Sequence, residues 1–267
     1  MIQINHVNYA YDGVHPVLKN IDHTIASGAK IAILGQNGSG KTTLAKNINR
    51  LCQPQSGTVL IDGQSTHHAT IAQVSQKVGY IFQNPNDQLF NNRVEKEIQY
   101  ALYRQKLPEG EIQERTQAAL ELCQLTAVAQ QHPYDLSITM RKFVCIAAIV
   151  AMYPNTIILD EPTAGLDQKE RALLAHILDV LHDKQVTTLT ITHDMDFVAN
   201  QFNDILVMAH GQIVFEGHPT DFFYDEKLLK EAHIEPPLIV RLMQALAVDQ
   251  KIITIDQAQA YFGKEIQ

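Results

Sequence analysis

The feature that most constrains this chain is the eight-residue stretch 35–42, which reads Gly-Gln-Asn-Gly-Ser-Gly-Lys-Thr. The apolar run 31–34 precedes it, and residues 43–48 have the composition of a helix. The pattern G-x-x-x-x-G-K-[ST] between a strand and a helix defines a phosphate-binding loop. A glycine-rich turn ending in Lys-Thr rarely meets both requirements by chance. The sequence therefore predicts a chain that binds a nucleoside triphosphate.

The residue types in this stretch suit the chemistry of phosphate binding. Glycines let successive backbone N–H groups surround phosphate oxygens, and the N-terminus of the following helix points at the same charge. The Lys41 ammonium suits the β- and γ-phosphates, and the Thr42 hydroxyl suits Mg²⁺. The candidate nucleotide-binding residues are Gly35, Gln36, Asn37, Gly38, Ser39, Gly40, Lys41, Thr42 and Thr43.

Composition narrows the class of protein further. The chain has 267 residues, enough for one large domain and a small appendage, and a formal net charge of −8. This acidic balance argues against non-specific binding to nucleic acid, which needs a basic face. No apolar run approaches the ~18 residues of a membrane span, and the three cysteines are scattered. We expect a cytoplasmic protein with no metal beyond the Mg²⁺ that accompanies its nucleotide.

Three further strand ends carry candidate catalytic groups. The apolar run 156–159 ends in Asp160 and Glu161, which suggests a Mg²⁺ ligand followed by a carboxylate that polarises water. The strand predicted over 187–192 delivers His193, which can hydrogen-bond a γ-phosphate. The strand predicted over 78–82 delivers Gln83, which is placed for Mg²⁺ or for the attacking water. Taken alone, such a glutamine is more often an ordinary turn residue.

Two tyrosines near the N-terminus are candidates to stack on the nucleobase, Tyr9 and Tyr11. An aromatic face suits this role because every base has a π-surface. The residues themselves favour this role no more than simple packing of either ring on a sheet.

The remaining pattern predicts short elements around these motifs. Strands are expected over 2–9, 17–25 and 57–63, with a hairpin turning at His210-Gly211. Amphipathic helices are expected over about 94–105 and 110–124. After residue 220 the character changes, with helices expected over 238–247 and 256–262. This tail is either a packing appendage or an oligomerisation element.

Together, these motifs resemble the nucleotide-binding subunit of ABC transporters over nearly residues 1–220. The matching parts are the loop 35–42, Gln83, the strand ending in Asp160 and Glu161, the segment 164–167 and His193. The resemblance implies an α/β fold of the ABC-type P-loop NTPase: a RecA-like core, an antiparallel β subdomain and a helical signature subdomain over about 90–150. Residues 221–267 would form a small C-terminal extension. Residues 83–90 look like the ATPases of energy-coupling factor (ECF) transporters, which import vitamins and, in related systems, cobalt or nickel ions.

The resemblance also implies a mechanism. Two ATPase subunits would pair head to tail, with each ATP between one phosphate-binding loop and the signature motif of the other subunit. Gln83 and residues 84–103 would face a transmembrane coupling subunit, which works with a substrate-binding membrane subunit. The protein would be peripheral, on the cytoplasmic side of the membrane. Tyr11 takes the position of the base-stacking aromatic, Asp167 would help align the opposing site, and the C-terminal extension resembles one by which such ATPases pair.

The signature motif departs from the family pattern. It usually reads Leu-Ser-Gly-Gly-Gln, but here it reads Leu136, Ser137, Ile138, Thr139 and Met140. Glycines let the start of a helix approach the γ-phosphate, whereas Ile138 and Thr139 are β-branched and the thioether of Met140 is a poor hydrogen-bonding group. Ser137 still has a hydroxyl that can cap the helix.

The altered signature would weaken the ATP site on the partner's loop, not the site on this chain's own loop. The economical interpretation is a heterodimer with a second, different ATPase subunit that supplies an intact signature. Two alternatives remain: the nucleotide-binding subunit of another ABC importer, and a regulatory clamp that binds ATP with little hydrolysis. A soluble ABC protein acting on nucleic acid is disfavoured by the acidic charge and by the absence of a second cassette or a heptad run.

Overall fold

The strands of the chain divide into two sheets in the computed structural model, which describes residues 1–265. The strands are β1 (Ile2–Tyr9), β2 (Leu18–Ile25), β3 (Lys30–Leu34), β4 (Ser56–Ile61), β5 (Gln64–Ser65), β6 (Val78–Ile81), β7 (Thr156–Asp160), β8 (Thr187–Ile191), β9 (Asp204–Ala209) and β10 (Gln212–Gly217). The helices are α1 (Lys41–Ile48), α2 (Ile71–Ser75), α3 (Val94–Arg104), α4 (Glu109–Leu122), α5 (Ile138–Val150), α6 (Gln168–Asp183), α7 (Met195–Gln201), α8 (Pro219–Phe223), α9 (Glu226–Ala232), α10 (Leu238–Ala245) and α11 (Ile255–Glu265).

The larger sheet sets the position of the functional groups. Its strand order is β10-β9-β3-β8-β7-β6, with parallel pairing from β6 to β9 and an antiparallel edge at β10. Every residue of β7 and β8 is buried, as expected for strands covered on both faces. Because the carboxyl ends of parallel strands meet at one edge, the segments that follow β3, β6, β7 and β8 converge there.

The smaller sheet is antiparallel, with the order β2-β1-β4-β5. Its buried residues share one apolar cluster with the face of β3 and with α1, including Ile4, Leu18, Ile33 and Leu44. Helix α1 therefore packs between the two sheets, which fixes the direction of its N-terminus.

Helices α3, α4 and α5 lie against the other side of the larger sheet and share the main apolar cluster with it. The bounds of α3 and α4 agree to within two residues with the helices predicted over 94–105 and 110–124. Helix α5 approaches β6 closely at Gly79, where an added Cβ would lie 2.2 Å from Cγ2 of Ile149. A glycine at this point of the strand lets the helix lie flat on the sheet.

The C-terminal region contains α8 to α11 within the described residues. Phe222 and Phe223 are fully buried in the main cluster, whereas Met243, Ile252 and Ala258 form a small cluster of their own. Helix α11 extends beyond the predicted 256–262, and α10 ends two residues before the predicted boundary. The division of the chain near residue 220 stays a prediction.

One face of α10 is left exposed by the described residues. Leu238 and Leu242 on the helix and Leu246 directly after it recur every fourth residue and are 73%, 48% and 56% exposed. No helix among residues 1–265 combines the length and the apolar character needed to cross a bilayer.

Candidate active site

The phosphate-binding loop joins β3 to α1, and its glycines are required by the backbone. Gly35 has a φ of 144°, and a Cβ there would lie 2.2 Å from the carbonyl oxygen of Met208 on β9. Gly40 precedes α1 with a φ of 107°, which favours glycine. No side chain caps the N-terminus of α1. The first N–H groups of this helix therefore remain free to bind an anion.

The loop holds its own lysine. The Lys41 ammonium donates to the carbonyl oxygens of Gly35 and Gln36, at 2.7 and 2.9 Å. Burial lowers the pKa of Lys41, and the carboxylates of Glu161 and Asp160 act in the opposite direction. Behind the loop, the buried hydroxyl of Ser39 has no hydrogen-bond partner among the described residues. The ammonium is therefore already placed at the centre of the loop that would surround a phosphate.

The end of β7 presents a carboxylate whose two oxygens have different partners. Oδ1 of Asp160 accepts from the Thr42 hydroxyl at 3.4 Å, and Oδ2 accepts from the Tyr80 hydroxyl at 2.7 Å. The side chain of Gln83, which follows β6, lines the same cleft. Hydroxyl, carboxylate and amide oxygens are the hard ligands that suit Mg²⁺. The donor set thus fits this ion, and no cluster of three or more His, Cys, Asp or Glu side chains elsewhere in residues 1–265 offers a metal site.

Glu161 and His193 meet where β7 and β8 end. Asp160 pairs with Ile191 in the sheet, so the following residues of both strands face each other. The His193 Nε2 and the Glu161 Oε1 are 3.1 Å apart. Burial raises the pKa of Glu161 to about 7, against the opposing effect of the Lys41 cation. Burial, and then the same cation, lowers the pKa of His193.

The backbone of Glu161 adopts a left-handed conformation. Its φ of 51° lies in the left-handed region, which costs energy for a residue with a Cβ. Its N–H donates to the carbonyl of Ile191 at 2.9 Å, which ties the residue to the end of β8. Strain of this kind is found at functional sites, where the surrounding structure maintains it.

The two candidate tyrosines occupy different environments. Tyr9 is partly buried against the smaller sheet, and its hydrogen bond with Cys52 raises the pKa of the phenol to about 12. Tyr11 is 60% exposed, and its hydroxyl lies 3.1 Å from the Thr43 hydroxyl. The rings meet edge to face at 5.0 Å. Tyr9 thus packs on the sheet, while Tyr11 lines the cleft.

These groups share one cleft of about 470 Å³. Most of the predicted nucleotide and catalytic residues line it, whereas Gly35, Gln36 and Ser39 support the loop from behind. The lining residues are Tyr11, Val17, Asn37, Gly38, Gly40, Lys41, Thr42, Thr43, Gln83, Asp160, Glu161, Ile191 and His193.

The signature segment 136–140 lies outside this cleft. Ser137 caps α5 by accepting the N–H of Met140 at 3.1 Å, as the sequence predicted. Ile138 is 48% exposed. Asp167 caps α6 by accepting the N–H of Glu170 at 2.8 Å. Neither the signature segment nor Asp167 is therefore brought to the nucleotide cleft of its own chain.

Two residues of this region were missed by sequence reasoning. Tyr80 lies on β6, and only the register of β6, β7 and β8 brings its hydroxyl to Asp160. Lys142 lies on α5 and donates to the carbonyl oxygens of Glu161 and Ala164. The available signal for Lys142 was its position beside Arg141, directly before the continuous apolar stretch 143–150.

Comparisons with known proteins bear on the same part of the chain. The family model described as ABC transporter matches residues 18–164. The energy-coupling factor transporter ATP-binding protein EcfA1 of Enterococcus faecalis is 38% identical over 249 residues, which cover 92% of this chain and 89% of that protein. A putative ABC transporter ATP-binding protein of Pyrococcus furiosus is 37% identical over 248 residues, covering 93% of this chain and 94% of that protein.

Solved structures give the same result for the fold. CbiO1 from Clostridium perfringens, described as part of the ABC transporter complex cbiONQ, superposes with a TM-score of 0.78 at 32% identity, covering 91% of this chain and 98% of that chain. A dimeric structure of MJ0796, described as a bacterial ABC transporter cassette, superposes with a TM-score of 0.74 at 26% identity, covering 82% of this chain and 99% of that chain. The predicted P-loop NTPase fold is confirmed.

Proposed function

Because the chain belongs to the ABC transporter family and is an ATPase, we propose that it energises substrate import by a transporter of the energy-coupling factor type. The observation that supports this most is the convergence of Lys41, Asp160, Glu161 and His193 in one cleft. The names of relatives such as EcfA1 and the cbiONQ complex support the subtype. The imported substrate would be a vitamin or a transition-metal ion, bound by a separate membrane subunit.

The side chains of the cleft have distinct roles in this proposal. Lys41 and the free N–H groups of α1 hold the phosphates of ATP. Thr42, Gln83 and Asp160 would hold Mg²⁺, which when bound offsets the charge on the phosphates. Tyr11 stacks on the base.

Glu161 and His193 act on the attacking water. Glu161 takes a proton from this water, for which its raised pKa makes it a better base than an exposed carboxylate. His193 donates from its ring to the γ-phosphate or to Glu161, and it orients both. The Lys41 ammonium stabilises the negative charge that develops on the transferred group.

Two ATPase subunits are needed to complete each site in this proposal. The signature segment 136–140, together with Asp167, would complete the nucleotide site of the partner, and the partner would complete the cleft of this chain. Since Ile138 and Thr139 replace glycines, the site that uses this signature is impaired. We therefore expect a heterodimer with a different ATPase that carries an intact signature, with one hydrolytic site that uses Glu161. The C-terminal extension from residue 221 would contribute to this pairing through α10.

A surface formed within residues 90–104 suits the membrane subunit. Phe90 is 62% exposed and contacts the Tyr100 ring edge to face at 4.6 Å. Beside it lies a depression of about 410 Å³ lined by Asn91, Asn92, Arg93, Lys96, Tyr100, Tyr103 and Arg104. Exposed aromatic and arginine side chains are typical anchors of protein interfaces. The transmembrane coupling subunit would dock here, and the chain would then lie on the cytoplasmic face of the membrane.

Purification of the tagged chain from its native membranes in mild detergent tests this function. We expect a second ATPase with an intact signature and a polytopic membrane subunit to co-purify. Recovery of the chain without membrane proteins would overturn the transporter proposal.

A second candidate function is a regulatory clamp that binds ATP with little hydrolysis, which the residues at 138–140 favour. The assembled complex separates the two functions, because a clamp would not lose turnover when Glu161 is changed to Gln.

A further inference from the structure

Helix α5 contacts the loop that carries Glu161 through a buried lysine. The Lys142 ammonium donates to the carbonyl oxygens of Glu161 and Ala164, at 3.3 and 2.5 Å. Lys142 is only 7% exposed, and the carboxylates of Glu161 and Glu170 face its charge. A charged donor in such a position makes stronger hydrogen bonds than a neutral one. Lys142 therefore binds the loop that follows β7 at two points, Glu161 and Ala164.

A second contact joins the same two parts of the chain. The Thr139 hydroxyl donates to Oε1 of Glu170 at 2.5 Å and lies 3.0 Å from the Ser137 hydroxyl. The other oxygen of Glu170 accepts the N–H of Asp167 at 2.9 Å. Glu170 therefore links the start of α5 to the end of the loop. A glycine at position 139, as in the usual signature, has no hydroxyl to make this contact.

The loop between these contacts, residues 161–167, contains the strained residue of the site. Within it, the N–H of Ala164 approaches the carbonyl of Glu161, and the N–H of Leu166 bonds the carbonyl of Thr163. The left-handed φ of Glu161 persists only if its surroundings hold it. Lys142 bonds the carbonyl group of that residue itself.

We propose that Thr139 and Lys142 are positioning residues that fix loop 161–167 against α5 and so hold Glu161 in its working orientation. Through Thr139, the altered signature would then also support the nucleotide site of its own chain. This role rests on the proposed function only in that Glu161 acts on water. The restraint of the loop is a property of the chain by itself.

Hydrogen–deuterium exchange on the purified full-length chain tests the restraint. We expect Lys142→Met and Thr139→Val each to speed exchange in residues 161–167 by about tenfold, because each removes a charge-assisted hydrogen bond. Exchange in the loop 35–42 and the affinity for ATP should stay unchanged. Arg141→Met is the matched control, since the neighbouring Arg141 binds the carbonyls of Pro133, Leu136 and Tyr134 and not this loop. It should leave exchange in 161–167 unaltered.

Kinetics of the purified complex test the consequence for hydrolysis. We expect Thr139→Val and Lys142→Met to lower kcat by about tenfold with little change in KM, since they disturb the position of Glu161 and not ATP binding. Thr139→Ser retains the hydroxyl and should restore kcat.

The outcomes separate the two proposals. Exchange in 161–167 that is the same in the wild type and both variants would overturn the restraint, whatever the chain energises. Faster exchange with an unchanged kcat would overturn the role in positioning Glu161. A complex whose ATP turnover survives Glu161→Gln would instead contradict the proposed function, and the exchange result would still stand.

Discussion

The two carboxylate oxygens of Asp160 accept hydrogen bonds from two different neighbours. Oδ1 accepts from Thr42 at the start of α1, and Oδ2 accepts from the buried phenol of Tyr80. Burial, together with the adjacent charge of Asp160, raises the pKa of this phenol far above its usual value, so the phenol remains a donor. Tyr80 therefore turns Oδ1 towards Thr42, where Mg²⁺ would lie. Such partners behind a metal ligand orient it and tune its affinity.

Tyr80→Phe removes this donor without changing the ring. We expect the affinity of the ATP-bound chain for Mg²⁺ to fall about 10–100-fold. Titration with Mn²⁺, followed by electron paramagnetic resonance, measures the affinity without turnover. Tyr103→Phe is the control, because it removes a tyrosine–carboxylate bond to Glu109 on an exposed surface. Equal Mn²⁺ affinities in the wild type and Tyr80→Phe would show that Asp160 needs no such partner.

Glu161→Gln keeps the shape of the side chain and removes its basicity. We expect turnover of the complex to fall by about 10²–10⁴-fold, the usual contribution of a general base. ATP binding should persist, because Lys41 and the N–H groups of α1 hold the phosphates. Phosphate release and binding of a fluorescent nucleotide measure the two quantities. Turnover close to that of the wild type would contradict a hydrolytic site that uses Glu161 and would favour the regulatory clamp.

At the scale of elements, the contact between β6 and α5 depends on a missing side chain. Gly79→Ala would press a methyl group onto Ile149, and the cost should be about 1–3 kcal/mol of unfolding free energy. Ile149→Ala makes room for that methyl group. We therefore expect the double variant to be more stable than the sum of the two single costs implies, by on the order of 1 kcal/mol. Urea unfolding measures all three variants. If the destabilisations caused by the two single substitutions simply add in the double variant, the close contact between Gly79 and Ile149 is contradicted.

The sequence was most informative where a motif ended a strand. Four apolar runs predict strands because each of them stops at a functional motif. These runs precede Gly35, Gln83, Asp160 and His193, and β3, β6, β7 and β8 confirm them. Helix α6 was not predicted, although Asp167 and Glu170 form a capping box at its start. The three-residue spacing of Asp167 and Glu170 is the sequence signal for this helix start.

Contacts between residues of different strands and helices could not be predicted from the sequence alone. The bond from Tyr80 to Asp160 joins residues 80 positions apart. Which face of β6 meets β7 follows from sheet register, and register depends on the packing of the whole sheet. The hydrogen bonds of Lys142 could not be predicted either, because its partners are backbone carbonyl groups, which every residue has.

At the scale of the whole molecule, we propose that the exposed Leu238, Leu242 and Leu246 are covered in an assembly. Leu242→Glu would place a charge in the middle of this stripe, and we expect it to reduce recovery of the second ATPase about tenfold, since burial of an unpaired charge opposes association. Gln244→Glu, on the exposed polar side of the same helix, should have no effect. Quantitative mass spectrometry of the purified complex measures recovery. Unchanged recovery with Leu242→Glu would exclude α10 from the pairing surface.

The position of Tyr11 has a consequence for which nucleotide the protein binds. The cleft has charged side chains beside the phosphate-binding loop, namely Lys41, Asp160, Glu161 and His193. Tyr11 and Val17 contribute an aromatic ring and an apolar side chain to the lining of the same cleft. Stacking on a tyrosine face tolerates any base, because every base has a π-surface. If Tyr11 stacks on the base as we propose, this contact by itself would favour ATP over GTP very little, and the relative concentrations of the two nucleotides would then influence which one is hydrolysed.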